Sequence, residues 1–186
     1  MTRTQLAPDA AEQGGGIEIR AASGADCEAI KAFVAGLSLR ARFLRFFTAA
    51  SPPSPAVLRG LCGASRTTDV LLAAVGGTVI GHAMAADAVG PDGCLVTDIG
   101  LVVTDRWQNR GVGSDLLGRM VARAAARGVS GLEMDVLPEN RPMLTMITRR
   151  WPDARYEYGG GSVTVRVRLT DPAANGGCGG AALRAA

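Results

Sequence analysis

Leu101-Val-Val-Thr-Asp-Arg-Trp-Gln-Asn-Arg-Gly-Val-Gly-Ser114 joins the end of an apolar run to the start of an amphipathic one. Read as structure, a strand ends, a loop follows, and two glycines open a helix running to about residue 127. The helix face carries Leu116, Leu117, Met120, Val121 and Ala124 at helical spacing. Free N–H groups at a helix start, together with the helix dipole, attract phosphate. Gly111 and Gly113 carry no Cβ, so a bulky anion can approach the backbone there, and Arg110 adds positive charge beside them. The stretch is not a nucleotide P-loop, because no Gly-Lys-Ser/Thr follows. It is not a dinucleotide fingerprint either. The third glycine of that pattern is Leu116 here, and several strands precede the motif. What remains is Gln108-x-x-Gly111-x-Gly113.

Working outward, the hydrophobic periodicity sets an order of β, helices, three strands, α, β, α, two strands. Residues 17–20 alternate as a short strand does. Ser23 and Asp26 can cap and open a helix whose face holds Ile30, Val34 and Leu37, with Phe33 beside them. A second helical stretch covers 40–47, and a proline-broken segment lets a third start at Pro55. Residues 70–75 and 78–86 flank Gly76-Gly77 as a hairpin, and 94–103 is a long apolar strand interrupted by Asp98. After the central helix, Gly128 suits its C′ position, and 132–136 is a strand. Residues 141–150 form a helix closed by Trp151-Pro152, and 155–158 with 163–169 form a last pair of strands. Residues 1–16 read as a flexible arm, 17–169 as one domain, and 170–186, rich in Gly and Ala, as a disordered tail.

A chain of 186 residues, 47% hydrophobic and 20% charged, can bury a core without metals or disulfides. A net charge of +3 is too small to make nucleic acid the default partner. Cys27, Cys62, Cys94 and Cys178 show no metal-ligand spacing, and His82 is the only histidine, so no zinc site is expected. The thiols are expected to be reduced and the protein cytoplasmic. No leader segment is expected at the start, and Gly76-Gly77 with His82 argues against a membrane span over 70–86.

Gln108-x-x-Gly111-x-Gly113 between a strand and a helix resembles the pyrophosphate-binding signature of the GNAT superfamily of acyl-CoA-dependent N-acetyltransferases. A second motif agrees in order and spacing: the strand at 132–136 is followed by Leu137-Pro-Glu-Asn140-Arg-Pro-Met143. The resemblance covers about 17–169 and implies an α/β fold: a mixed, mostly antiparallel twisted sheet of six to seven strands, flanked by helices on both faces. It implies acetyl-CoA as co-substrate, no metal, and an amine acceptor. By the same resemblance, backbone groups of Leu101, Val102 and Val103 face the pantetheine. The loop Gln108, Asn109, Arg110, Gly111, Val112, Gly113 and Ser114 holds the pyrophosphate, and Asn140 bonds the pantetheine arm. A narrower likeness, carried by residues 36–47 and 136–143, is to the acetyltransferase domain of bacterial Pat-type protein lysine acetyltransferases. It makes protein lysine the favoured acceptor, in a monomer or homodimer, and puts Phe43, Phe46, Phe47, Arg40, Arg42 and Arg45 near the acceptor side.

An amine must be neutral to attack a thioester, so a base is needed. A carboxylate inside an apolar strand is costly unless it has a partner or a task, which singles out Asp98. The Pat-type pattern places a glutamate in that register. Aspartate is one methylene shorter, so a water relay is the expected form. His82 is a weaker candidate. The family's tyrosine after the asparagine is missing, which leaves water, Thr145 or Thr148 to protonate the thiolate, while Tyr156 and Tyr158 have no assigned place. The shortened carboxylate and the missing tyrosine also leave open a small-amine acetyltransferase, or a weakly catalytic acyl-CoA-binding sensor.

Overall fold

A computed structural model of the chain describes residues 16–48, 53–63, 65–90 and 92–169. The arm at 1–15 and the tail at 170–186 expected from the sequence lie outside the described residues. Seven strands form one sheet in the order β1-β2-β3-β4-β5-β7-β6. They are β1 (Glu18–Ala21), β2 (Thr68–Val75), β3 (Thr78–Val89), β4 (Leu95–Val103), β5 (Gly131–Val136), β6 (Arg155–Gly159) and β7 (Ser162–Arg168). Only β4 and β5 pair in parallel; every other neighbouring pair is antiparallel.

Five helices lie on the two faces. Helices α1 (Cys27–Ala35), α2 (Leu39–Phe46) and α3 (Pro55–Leu61) bury Ile30, Phe33, Val34, Ala41 and Leu61 against Val70, Leu72 and Val102 on one face. On the other, α4 (Val112–Ala126) buries Leu116, Leu117, Met120 and Ala124, and α5 (Arg141–Arg150) buries Ile147, over a core that spans β2 to β7. Alternation along each strand sorts residues between these two cores. In β5 and β7 it leaves one face bare. Leu132, Met134, Val136, Val163, Val165 and Val167 are buried towards α4 and α5, and the residues between them are partly or fully exposed. Among the described residues no helix covers that second face.

Local chemistry sets the boundaries. Ser38 and Ser54 accept from Ala41 N and Val57 N to cap α2 and α3. Asp26 accepts from Ser23 N at 2.7 Å and is clamped by Arg20 at 2.6 Å, which holds its carboxyl well below the usual carboxylate range. Gly128, at φ +83, closes α4 in the left-handed conformation expected of it.

One expectation is overturned. Cys27 and Cys62 are joined in a disulfide that ties the start of α1 to the residue after α3, with Cα atoms 5.1 Å apart. Among the described residues no cysteine is a free thiol. Nothing in the spacing of two cysteines 35 residues apart announces such a bond. It follows from the two helices packing side by side. Among the described residues no helix is long and apolar enough to cross a membrane.

Candidate active site

β4 and β5 do not stay together. Their parallel register runs Val96↔Gly131, Thr97↔Leu132, Asp98↔Glu133 and stops, while β4 continues to Val103 and β5 to Val136. The two strands therefore open into a cleft whose apex is at Asp98. Backbone hydrogen bonds show which groups line it. Thr104 N bonds Ile80 O, so even-numbered residues of β4 aim at β3, and Ser130 N bonds Leu95 O, so odd-numbered ones aim at β5. Leu101 and Val103 thus turn backbone groups into the cleft. Val102 points its backbone at β3, opposite His82, and buries its side chain against α1 and α2.

The mouth of the cleft is the glycine loop. Asn109 at φ 58 and Gly111 at φ 86 are both left-handed, and this turns the chain into α4. Gly111 is the N-cap and has no side chain to offer, so α4 begins without a side-chain cap. Its first amides, on Val112, Gly113 and Ser114, are left for an anion. A Cβ at Gly113 would meet only Leu101 Cδ1 at 3.7 Å and Val103 Cγ2 at 3.8 Å, which is ordinary contact. The protein itself does not require glycine there, so the room is for something else. Gln108 braces the loop: Nε2 donates to Val103 O at 2.9 Å and to Asp105 Oδ1 at 3.2 Å. Arg110 is exposed and stacks over the Trp107 ring at 5.1 Å. Val112 is core, 2% exposed, and can contribute only its backbone.

Asn140 is the N-cap of α5, its Oδ1 accepting from Met143 N at 3.4 Å. Its Nδ2 keeps both hydrogens for another acceptor. It follows β5 directly and so stands at the far wall of the cleft.

Asp98 is exposed on the face that carries α2. Even so, enough protein surrounds the carboxyl for desolvation to push it above the ordinary carboxylate range. Arg45 on α2 pulls it down, and Asp135 and Glu133 on β5 push it up. His82 is a different case. It is 1% exposed on β3, donates from Nε2 to Leu61 O at 2.9 Å, and burial pushes its pKa down to about 4. It is a neutral core residue pinning α3, with no access to the cleft. Tyr156 meets Thr148 on α5, hydroxyl to hydroxyl, at 2.7 Å, a pairing sequence reasoning did not reach. Gly100 was also passed over, although a glycine inside a strand signals close approach of another group. Here that group is the Arg45 guanidinium. A separate cavity of about 370 Å³ lies at the opposite end of α4. Within it Arg123 and Arg127 bond Asp69, and Arg127 also Asp87, at 2.6–2.7 Å.

The sequence model of the acetyltransferase (GNAT) family matches residues 37–150, more than half of the chain, across the cleft and both of its walls. The chain belongs to the GNAT acetyltransferase family. Solved acetyltransferase structures superpose on it. The GNAT domain of Streptomyces lividans Pat has a TM-score of 0.72 at 23% identity, covering 85% of this chain and 93% of that one. Salmonella typhimurium YncA, solved with its cofactor acetyl-CoA, has a TM-score of 0.64 at 19% identity over 88% and 99%. Thermoplasma acidophilum PaiA N-acetyltransferase, in complex with coenzyme A, has 0.60 at 14% over 83% and 99%. No curated protein sequence matches the chain. The GNAT fold expected from the glycine loop is the fold observed, a seven-stranded, mostly antiparallel sheet with helices on both faces.

Proposed function

We propose that this GNAT protein transfers the acetyl group of acetyl-CoA to a primary amine, with a protein lysine as the favoured acceptor, in a ternary complex. The observation that carries the reading is the parting of β4 from β5 at Asp98, with the uncapped start of α4 at its mouth. The residues present fit a long ligand with an anionic middle. The backbone of Leu101 and Val103 offers strand-like hydrogen bonds, the amides of Val112, Gly113 and Ser114 with Arg110 offer an anion site, and Asn140 Nδ2 offers a donor on the opposite wall. Bound acetyl-CoA supplies an activated thioester carbonyl carbon, and two of the family's solved members carry acetyl-CoA or CoA.

Asp98 at the apex takes the amine proton. At about pH 7.4 a free lysine is only ~0.1% neutral, equivalent to roughly 4 kcal/mol, which a base offsets by removing the proton where the amine reacts. The short aspartate side chain suits a relay through one water. The bare face of β5, β7 and β6 next to Asp98 leaves room for an acceptor of protein size. Asp135, near Asp98 on that face and in no ion pair among the described residues, favours a cationic side chain. Likeness to the Pat GNAT domain points the same way. A cytoplasmic setting is part of this reading, since it draws on acetyl-CoA as co-substrate. There the thiol pool decides whether the Cys27–Cys62 bond stands.

The test is thiol release from acetyl-CoA with a panel of lysine peptides, folded proteins and small amines. Turnover highest on protein or peptide lysine is expected. Turnover confined to small amines would overturn the acceptor assignment, and CoA binding without turnover on any amine would overturn the catalytic one.

A further inference from the structure

A cation sits beside β4 with no hydrogen bond or ion pair among the described residues. Arg45, in the last turn of α2, lays its guanidinium against the strand backbone at Gly100. A Cβ at position 100 would stand 2.5 Å from Cζ and Nη2 and 2.7 Å from Nη1. Only glycine leaves that seat empty. Gly100 lies two residues beyond Asp98, on the same face of β4. Arg45 Nε is buried with no hydrogen-bond partner, and among the described residues none forms a hydrogen bond or ion pair with the guanidinium. Its nearest company is the Phe46 ring, 5.2 Å from Cζ.

Burying a guanidinium without a partner is costly, and burial lowers its pKa. The charge that opposes this is Asp98, which favours the charged arginine just as Arg45 favours the charged aspartate. The other groups around Asp98 do not help it ionise. From β5, Glu133 and Asp135 repel its charge. From β7, Arg166 is spent on Glu133 at 2.8 Å and on Glu157 of β6. From β3, His82 is neutral. From α2, Arg42 gives Nη2 to Ala35 O at 3.2 Å and Leu37 O at 3.4 Å. Arg45 is left as the group that keeps a proton off Asp98 before the acceptor arrives.

We propose that Arg45, seated on Gly100, is the positioning residue of this site: it holds Asp98 as the carboxylate, ready to receive the acceptor's proton. The proposal rests on the reading of Asp98 as the base. The proton leaves the amine nitrogen, passes through water to an Asp98 carboxylate oxygen, and is later lost to solvent. Arg45 stays charged throughout and transfers nothing.

The experiment uses Arg45→Gln, Arg45→Lys and Gly100→Ala, the last displacing the guanidinium without deleting it. Acetyl-CoA affinity by calorimetry reports that each variant is folded. The titration of Asp98 is followed by carboxyl ¹³C NMR in the CoA-free protein, its signal assigned by its loss in Asp98→Asn. An opposite charge nearby typically shifts a carboxyl by 1–3 units, so in Arg45→Gln and Gly100→Ala the Asp98 midpoint should rise by roughly one unit. Arg45→Lys should keep it near wild type. The acid limb of kcat should move up by the same amount. A midpoint unmoved in Arg45→Gln, with CoA affinity intact, overturns the proposal. So does a KM for acidic acceptors that rises while the midpoint stays, which would make Arg45 an acceptor-binding group. A midpoint that moves while the acid limb of kcat does not overturns the reading of Asp98 as base and leaves the Arg45–Asp98 coupling standing.

Discussion

At the scale of single residues, two ionisable groups on neighbouring strands have opposite fates. Asp98 stands exposed at the apex of the cleft with its pKa raised, mainly by desolvation. As the proposed base its working form is the carboxylate, so activity is expected to fall as pH drops through that raised pKa. Asp98→Asn keeps size and removes the proton acceptor. We expect kcat to fall by roughly 10²-fold near neutral pH with acetyl-CoA affinity unchanged. The gap should narrow at high pH, where the acceptor amine is already neutral. Asp98→Glu should retain activity or gain some. Steady-state pH–rate profiles of both variants check this, and wild-type kcat in Asp98→Asn at neutral pH would remove Asp98 from the mechanism. His82 is buried with its pKa pushed down to about 4, from 6.5 in an unfolded chain. The unfolded state therefore binds its proton first, and stability is lost as pH falls from about 6.5 towards 4. A shift from 6.5 to about 4 corresponds to roughly 3–4 kcal/mol at most. Chemical denaturation across that window should show the loss, and His82→Gln should flatten it. Both residues could be picked out in the sequence as polar interruptions of apolar strands. Which of them faced solvent could not, because strand alternation fixes two faces without saying which face a helix will cover.

At the scale of elements, the start of α4 and the start of α5 do different jobs with similar parts. Gly113 has room for a methyl group, so Gly113→Ala should leave the melting temperature unchanged or slightly raised, since alanine favours helix by up to about 1 kcal/mol. The same change should weaken CoA binding. Gly113→Glu puts a carboxylate where the anion belongs, and we expect at least a tenfold loss of affinity, about 1.4 kcal/mol. Calorimetric titration with CoA decides: unchanged affinity in a folded Gly113→Glu protein would take the anion site away from this helix. Asn140 both caps α5 and keeps a free amide donor. Asn140→Ala loses both, so it should cost about 1 kcal/mol of stability and raise the KM for acetyl-CoA several-fold. Asn140→Asp separates the roles, because aspartate still caps but cannot donate. Its melting temperature should match wild type while the KM rises. A KM unchanged in both variants would leave Asn140 as a cap alone.

At the scale of the whole molecule, the bond between Cys27 and Cys62 ties the helical layer over β1–β4 into one unit, next to Leu61 and the His82 contact beneath it. Cross-linking residues 35 apart constrains the unfolded chain by about 3–4 kcal/mol in the loop-entropy picture. Denaturation of the wild-type protein and of the Cys27→Ser/Cys62→Ser protein should show a loss of that order in the variant, and reductant should cost the wild-type protein at least as much. An identical midpoint for all three would mean that the thiols do not pair in solution. The proposed acceptor surface borders this layer at Asp98, so the double variant should change acceptor KM more than CoA affinity.

The sequence by itself determined the secondary structure almost element by element. Glycines, prolines and capping serines mark where the chain must turn, and the apolar spacing of each segment admits one period. It also carried the family resemblance, because Gln108-x-x-Gly111-x-Gly113 and the Asn140 turn stand in the order and spacing of the GNAT pattern, each readable locally. Only the tertiary structure decided what depends on residues far apart in the chain. It parted β4 from β5 after Asp98 and so made the cleft. It turned the backbone of Val102 away from that cleft and those of Leu101 and Val103 into it. It laid the Arg45 guanidinium on Gly100, and it brought Cys27 to Cys62. These are consequences of register and of helix packing on a twisted sheet. No local window of sequence holds both partners, and a one-residue change in strand pairing would swap which backbone groups of Leu101, Val102 and Val103 face the cleft.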